Sequence, residues 1–312
     1  MTVRIAPTLA AMADIYQLST DGGPESPRFT KYVELNRDGY PVAGFTPMTT
    51  SDDTVETIQA LIELDAEELA SETANECARD LGLRADIGLS ITVATPGMWT
   101  DRLATEIEHR IGGRRWSEIL VWSGEEVDAD RLRLLTKAQM VRAGWATIHQ
   151  PPRTVAQLAG QEGLAGAVTQ PEGEAAPAPD PAVAEVLATI GDDAHMATRA
   201  SFLYGDEVAQ KMGWTPLGIG PSAGYAHSIA VALETLRSKT ASKLLRSEWT
   251  PLNGVSAPPA AAVEPEPAAE PSTAPAPDEE PTASAEATTE AGADADAGAE
   301  GATASASEER TG

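Results

Sequence analysis

The last 58 residues of the chain, 255–312, contain no aromatic residue and no Leu, Ile or Met. A segment of that kind has no apolar area to offset the entropy lost when a backbone is ordered. It is therefore expected to remain disordered, as a tail spanning residues 251–312. Thirteen acids in it stand against the single Arg310, a net of −12, which leaves −14 of the chain's −26 for the body before it. The fold must be built by roughly 250 residues, enough for one large domain or two small ones with a substantial core.

The charge balance narrows the partners. A chain with a pI near 4.4 repels phosphate polyanions, and its cations are scattered apart from Arg110, Arg114 and Arg115 and the late run Arg237, Lys239, Lys243 and Arg246. General nucleic-acid binding is disfavoured, and the late run reads as cations placed at the end of a helix. A protein partner of basic character fits better. The single Cys77 lies within a helical pattern and reads as a buried thiol, with neither a disulfide framework nor a thiolate metal cage available. No apolar run approaches the length of a membrane span and no signal peptide stands out, so a cytoplasmic protein is expected. Arginine outnumbers lysine seventeen to five beside heavy use of Ala, Gly and Pro, a bias of GC-rich bacterial genomes and their phages.

Residues 7–18 read as a helix and 29–45 as a hairpin: Tyr32, Val33 and Leu35 before Asn36-Arg37-Asp38-Gly39, then Tyr40, Val42 and Phe45 after it. A long amphipathic helix follows, capped by Ser51 or Asp52 and closed by Gly82, with Ile58, Ile62, Ala66, Thr73 and Cys77 on one stripe. From residue 89 short β-rich runs alternate with helices: strand 90–95, helix 100–111, strand 118–122, helix 125–143 and strand 145–148. Ser123 and Glu126 form a capping box, and Gly112 and Gly144 stop the two helices. This alternation calls for a parallel sheet with right-handed crossovers. Residues 160–179, rich in Gly, Ala, Pro and Glu, read as a linker. Helices opened by Asp180-Pro181, running from His195 to Tyr204, and from Ser222 to about Arg246 make a second, helical module.

The expected fold is therefore α/β: a small parallel sheet with flanking helices, a helical second module and a disordered C-terminal tail. Its parts are an N-terminal helix and hairpin (1–50), an α/β core (51–159), the linker (160–179), the helical module (180–250) and the tail (251–312).

Candidate sites come from loops at strand ends and helix starts. Thr95, Gly97, Thr100 and Asp101 join a strand end to a helix start at the carboxyl edge of the sheet, where open α/β folds bind ligands, and Ser123 and Glu125 belong to the next such edge. Ala94-Thr95-Pro96-Gly97 is similar to a short segment of the DEAD-box helicases. That family's phosphate chemistry implies a Walker lysine, and this chain has no Gly-Lys pair.

Gly220-Pro221-Ser222-Ala223-Gly224 fits G-x-S-x-G and leads into a helix, as a nucleophile elbow does. The same five residues resemble the serine-bearing segment of Lon-type serine–lysine proteases, which implies Ser222 as nucleophile and a lysine base from a later strand. Lys239 and Lys243 instead fall in the helix pattern that starts at Ser222, roughly 25–30 Å along its axis. The only later histidine, His227, sits five residues on in that pattern. Ser222 is thus expected to be a helix N-cap.

Glu106-x-x-His109 and Asp192-x-x-His195 have the spacing of helical metal ligands. With Leu103, Ile107 and Ile111 as the apolar stripe, Glu106, His109 and Arg110 are expected on a solvated face, and no metal or other cofactor is expected. The tryptophans fall at element ends and read as core or boundary residues. The sequence favours a non-catalytic interaction or assembly protein. The alternative is a ligand-binding or hydrolytic α/β enzyme that uses the Thr95 to Asp101 loop or Ser222.

Overall fold

Three parallel strands lie side by side in chain order: β1 (Val3–Ala6), β2 (Ile87–Ala94) and β3 (Ser117–Trp122). The computed structural model describes residues 2–37, 47, 51–97, 101–111, 117–171 and 173–247. Between β1 and β2 come α1 (Thr8–Gln17), α2 (Pro27–Arg37), α3 (Asp52–Glu63) and α4 (Ala66–Asp80), and between β2 and β3 comes α5 (Arg102–Ile111). After the sheet follow α6 (Ala129–His149), α7 (Val155–Val168), α8 (Pro181–Ile190), α9 (Met196–Tyr204), α10 (Asp206–Lys211), α11 (Ala223–Leu236) and α12 (Ala241–Arg246). The α/β class, the parallel sheet and the helical second half stand as expected. The predicted tail lies outside the described residues.

Membership of the sheet differs from the expectation. The central β2 is buried on both faces along nearly its whole length, as a middle parallel strand should be. Its neighbours are β3 and, on the other side, β1, whose four residues pair in register from Val3 with Ile87 to Ala6 with Ser90. The run 145–148, expected as a strand, is the last turn of α6 instead. Gly144 does not stop that helix. A Cβ there would lie 2.9 Å from the Leu83 side chain, so the glycine lets α6 press onto the segment leading into β2.

The hairpin is also replaced by helix. Tyr32, Val33 and Leu35 belong to α2, and Tyr40, Val42 and Phe45 lie outside the described residues. Ser26 accepts a hydrogen bond from the Phe29 amide and Pro27 stands at the first helical position, a start signal that outweighs the turn-like Asn36 to Gly39 string. Arg28 holds α2 against α1 by donating to the Leu18 and Tyr16 carbonyls at 2.9 and 2.7 Å, which α1 leaves open at its C-terminus.

The long helix expected from Ser51 to Gly82 is two helices, broken where Asp65 adopts a left-handed conformation at φ 52°. Ala66, Ala70, Ala74 and Ala78 recur every fourth residue on α4 and are fully buried. Their small side chains let α4 lie close to β1 and α6. Cys77 is buried on the same helix, and burial pushes its thiol up to about 11. Gly82 closes the helix at φ 61°, as expected.

The largest correction concerns 160–179. Its first half is the C-terminal two-thirds of α7, a helix buried on almost every side, and only the residues after Val168 connect. Two of the glycines that suggested a linker, Gly163 and Gly166, are contact points with α11. A Cβ at Gly163 would sit 2.4 Å from the Ser228 carbonyl oxygen, and one at Gly166 would sit 2.4 Å from Ile229. α7 contributes Leu164 and Ala165 to the core under the sheet, and Val155 and Leu158 to a second core with α5, α8 and α9. The boundary at 159 therefore falls inside α7, whereas the one at 179 falls in the exposed connection just before α8.

The helix expected from Ser222 to Arg246 is α11 and α12, the second capped by Thr240. Arg246, at its end, donates to the Leu81 and Gly82 carbonyls that close α4. Among the described residues no helix is long and apolar enough to cross a membrane.

Candidate functional site

The carboxyl edge of the sheet gathers only part of the predicted set. Thr95, which follows β2, is buried, and its hydroxyl lies 2.8 Å from that of Thr54. The Tyr16 phenol is hydrogen-bonded to both hydroxyls, and its pKa is raised because burial outweighs their pull. Thr95 is thus an internal fastening between β2 and α3. Gly97 is exposed, and Thr100 lies outside the described residues. Asp101 caps α5, accepting from the Ala104 amide at 2.8 Å. The Ser123 amide donates to the Ala94 carbonyl at 2.8 Å and lengthens the β2–β3 ladder by one bond. The expected capping box is not the start of α6: Asp128 accepts from the Arg131 amide instead.

Glu125 leads to a cavity of about 100 Å³ between α5, β3 and α6, lined by Arg102, Arg110, Arg131, Arg142, Glu106, Glu125 and His109 among others. Arg102 pairs with Glu106 at 3.1 Å and with Glu125, and lies over the Trp122 ring. The Trp122 indole donates to the same Glu106 oxygen at 3.1 Å. Glu106, His109 and Arg110, expected on a solvated face, therefore line this cavity. The reason is that α5 turns its apolar stripe, Ile107 and Ile111, into the core with α7, α8 and α9 and brings its polar side against β3 and α6.

His109 Nε2 is 2.5 Å from the Glu118 carbonyl oxygen, which can only accept, so Nε2 carries the proton. Burial and then the Arg142 charge push its pKa down to about 4 against the pull of that carbonyl, and the ring is neutral near pH 7. Glu106 is engaged with Arg102 and Trp122 rather than with His109. In the second acid–histidine pair, His195 turns to Asp193 at 2.8 Å rather than to Asp192. Among the described residues no cluster of three metal-ligating side chains occurs.

Behind the cavity lies a feature the sequence reading missed. Arg142 on α6 makes a two-pronged ion pair with Glu162 on α7, both hydrogen bonds 2.8 Å long, and the Glu162 side chain is completely buried. Gln139 and Gln161 complete the hydrogen bonding at 3.2 and 3.1 Å, and an Arg110 nitrogen stands 4.0 Å from Glu162. Burial alone would raise the Glu162 pKa, but the Arg142 charge and hydrogen bonds override it and hold the carboxyl below its usual range. The Arg110 guanidinium also lies over the Tyr204 and Tyr225 rings. Burial pushes the Tyr204 phenol up to about 12. The available signal was Gln139 and Arg142 one helical turn apart, followed by an acid in a glycine-rich helix.

Ser222 lies outside this constellation. It precedes α11, as the cap reading required, but at φ 52° and with no hydrogen bond from its hydroxyl to the helix. Its amide donates to the Tyr204 carbonyl at 3.0 Å and the residue is exposed. His227 is engaged elsewhere, its Nδ1 accepting from the Asp180 amide at 3.0 Å, while His149 Nε2 lies 2.7 Å from the Leu245 carbonyl. The glycines of the G-x-S-x-G string mark a tight crossing. A Cβ at Gly224 would lie 2.0 Å from the Phe202 carbonyl oxygen, and one at Gly205 would lie 2.2 Å from that of Gly220.

A second, more open concavity of about 400 Å³ lies between α3 and the loop after β3. Asp53, Glu56, Glu125 and Glu126 surround it, Ala60, Leu61 and Val127 give it an apolar floor, and among the described residues no cation lines it. The Gly124 amide donates to Thr57 Oγ1 at 3.1 Å and fixes the loop to α3. Compared with protein-family models, with curated proteins and with solved structures, the chain finds no match.

Proposed function

We propose that this is a non-catalytic interaction protein whose folded body docks a basic segment of a protein partner in the groove between α3 and the loop after β3. One observation carries the reading: Asp53, Glu56 and Glu126 ring an apolar floor without a described cation among the lining residues, beside Glu125, which Arg102 engages from the neighbouring cavity. A lysine or arginine side chain has the matching chemistry, an aliphatic stem for Ala60, Leu61 and Val127 and a charged head for the rim. The fates of the candidate groups support the non-catalytic part. Thr95, Asp101, His109, His149 and His227 are each hydrogen-bonded within the protein's own framework.

The full chain is expected to bind a lysine- and arginine-rich peptide with an affinity that falls as salt rises, since Asp53, Glu56 and Glu126 are exposed. Fluorescence anisotropy with Asp53→Lys, Glu56→Lys and the double variant measures this. The double variant should bind at least about tenfold more weakly, because two attractions become repulsions. Equal binding by wild type and double variant would refute the groove as the docking site.

A further inference from the structure

We propose that the cavity between α5, β3 and α6 binds one small oxyanion, a phosphate or a carboxylate group, gripped by Arg110 and Arg131. The inference is independent of the docking groove, and its test uses no partner. Four guanidinium groups line the cavity, and two of them are neutralised within the protein: Arg142 by Glu162, and Arg102 by Glu106 and Glu125. Arg110 is not. Its nearest carboxylate, Glu162 at 4.0 Å, is beyond hydrogen-bonding distance and is already committed to both prongs of Arg142. Arg131 makes no side-chain hydrogen bond or ion pair to any described residue. Among the described residues, four cations against Glu106, Glu125 and Glu162 leave one positive charge over, in a chain whose net charge is −26.

Planar guanidinium groups suit oxyanions because each can offer two parallel N–H donors. Stacking on Tyr204 and Tyr225 holds the Arg110 group in place before any ligand arrives. The Tyr204 ring beneath it is itself fixed by burial, its hydroxyl enclosed without a hydrogen-bond partner among the described residues. Size sets the class of ligand. A cavity of about 100 Å³ admits a single phosphate or carboxylate group with its water and is too small for a nucleotide.

The test titrates the full-length protein with inorganic phosphate and, separately, with succinate, by calorimetry and by thermal shift, with sodium chloride at matched ionic strength as control. At least one oxyanion should give a saturable one-site signal that chloride does not, weakened about tenfold or more in Arg110→Gln and in Arg131→Gln. Arg131 is exposed, so Arg131→Gln decides the matter should Arg110→Gln fail to fold. Arg133→Gln removes a neighbouring charge already paired with Asp130 and should bind as wild type. Saturation by phosphate alone identifies a tetrahedral ligand, and by succinate alone a carboxylate; either supports the site. Absence of saturable binding by both anions, or binding that survives Arg131→Gln, overturns it.

Discussion

Replacing Arg142 by Met is expected to destabilise the protein by about 3–5 kcal/mol, because it leaves the Glu162 carboxylate buried without its principal partner. Glu162 has no exposed side-chain surface, and Arg110 at 4.0 Å is too distant to replace two 2.8 Å hydrogen bonds. Glu162→Gln should lose less, since Arg142 keeps slight exposure and the amide oxygen still accepts. Removing both charges together, as Arg142→Met with Glu162→Met, should be milder than the sum of the single losses, and a double-mutant cycle by chemical denaturation reads that coupling. Additive losses would mean that the pair is not the unit described here. The pair also fixes the direction of the pH dependence. With its folded pKa depressed, Glu162 contributes stability that is present above the unfolded carboxyl range and lost as pH falls through the folded value. His109 acts in the same direction. Its folded pKa of about 4 lies below the usual 6.5, so between those values the unfolded chain binds more protons and stability falls with pH.

Gly163→Val is expected to cost about 3 kcal/mol or more, through a clash the backbone must absorb. The added Cβ meets the Ser228 carbonyl carbon and oxygen at 2.8 and 2.4 Å, and neither can move without displacing α11. Gly166→Val meets the flexible side chain of Ile229 and should cost less. The sign of Gly163→Ala is informative by itself. In an exposed helix or a loose linker this change is neutral or stabilising by up to about 1 kcal/mol. Here it should destabilise, and thermal denaturation distinguishes the two directions.

These two sites show where the sequence could be read and where it could not. Amphipathic period and capping chemistry are local, so α1, α8 and α9, the closure of α4 at Gly82 and the strands β2 and β3 were legible. Ser26-Pro27 carries a helix start of the same kind, which a hairpin reading of the Asn36 to Gly39 string passes over. What failed depended on partners distant in sequence. Gly163 and Gly166 have the composition of a linker, and only the close passage of α11 makes them a packing seam. β1 is four residues cut short by Pro7, and it becomes a strand because β2 offers it an edge. Trp145 to Ile148 have strand-like side chains, but Trp145 is buried within α6. The candidate site followed the same rule. Glu125, Glu106 and His109 were named from the sequence, whereas Arg142, Glu162 and Arg131 gained meaning only when α6 and α7 came together.

The non-catalytic reading is tested most directly at Ser222, the residue with the strongest claim to chemistry. Folded full-length protein is incubated with a fluorophosphonate probe and its intact mass is measured. An exposed serine whose candidate histidine His227 is engaged by the Asp180 amide lacks the activated oxygen that such probes require, so the mass should stay unchanged in wild type and in Ser222→Ala alike. Stoichiometric labelling of wild type at Ser222, lost in Ser222→Ala, would contradict the account.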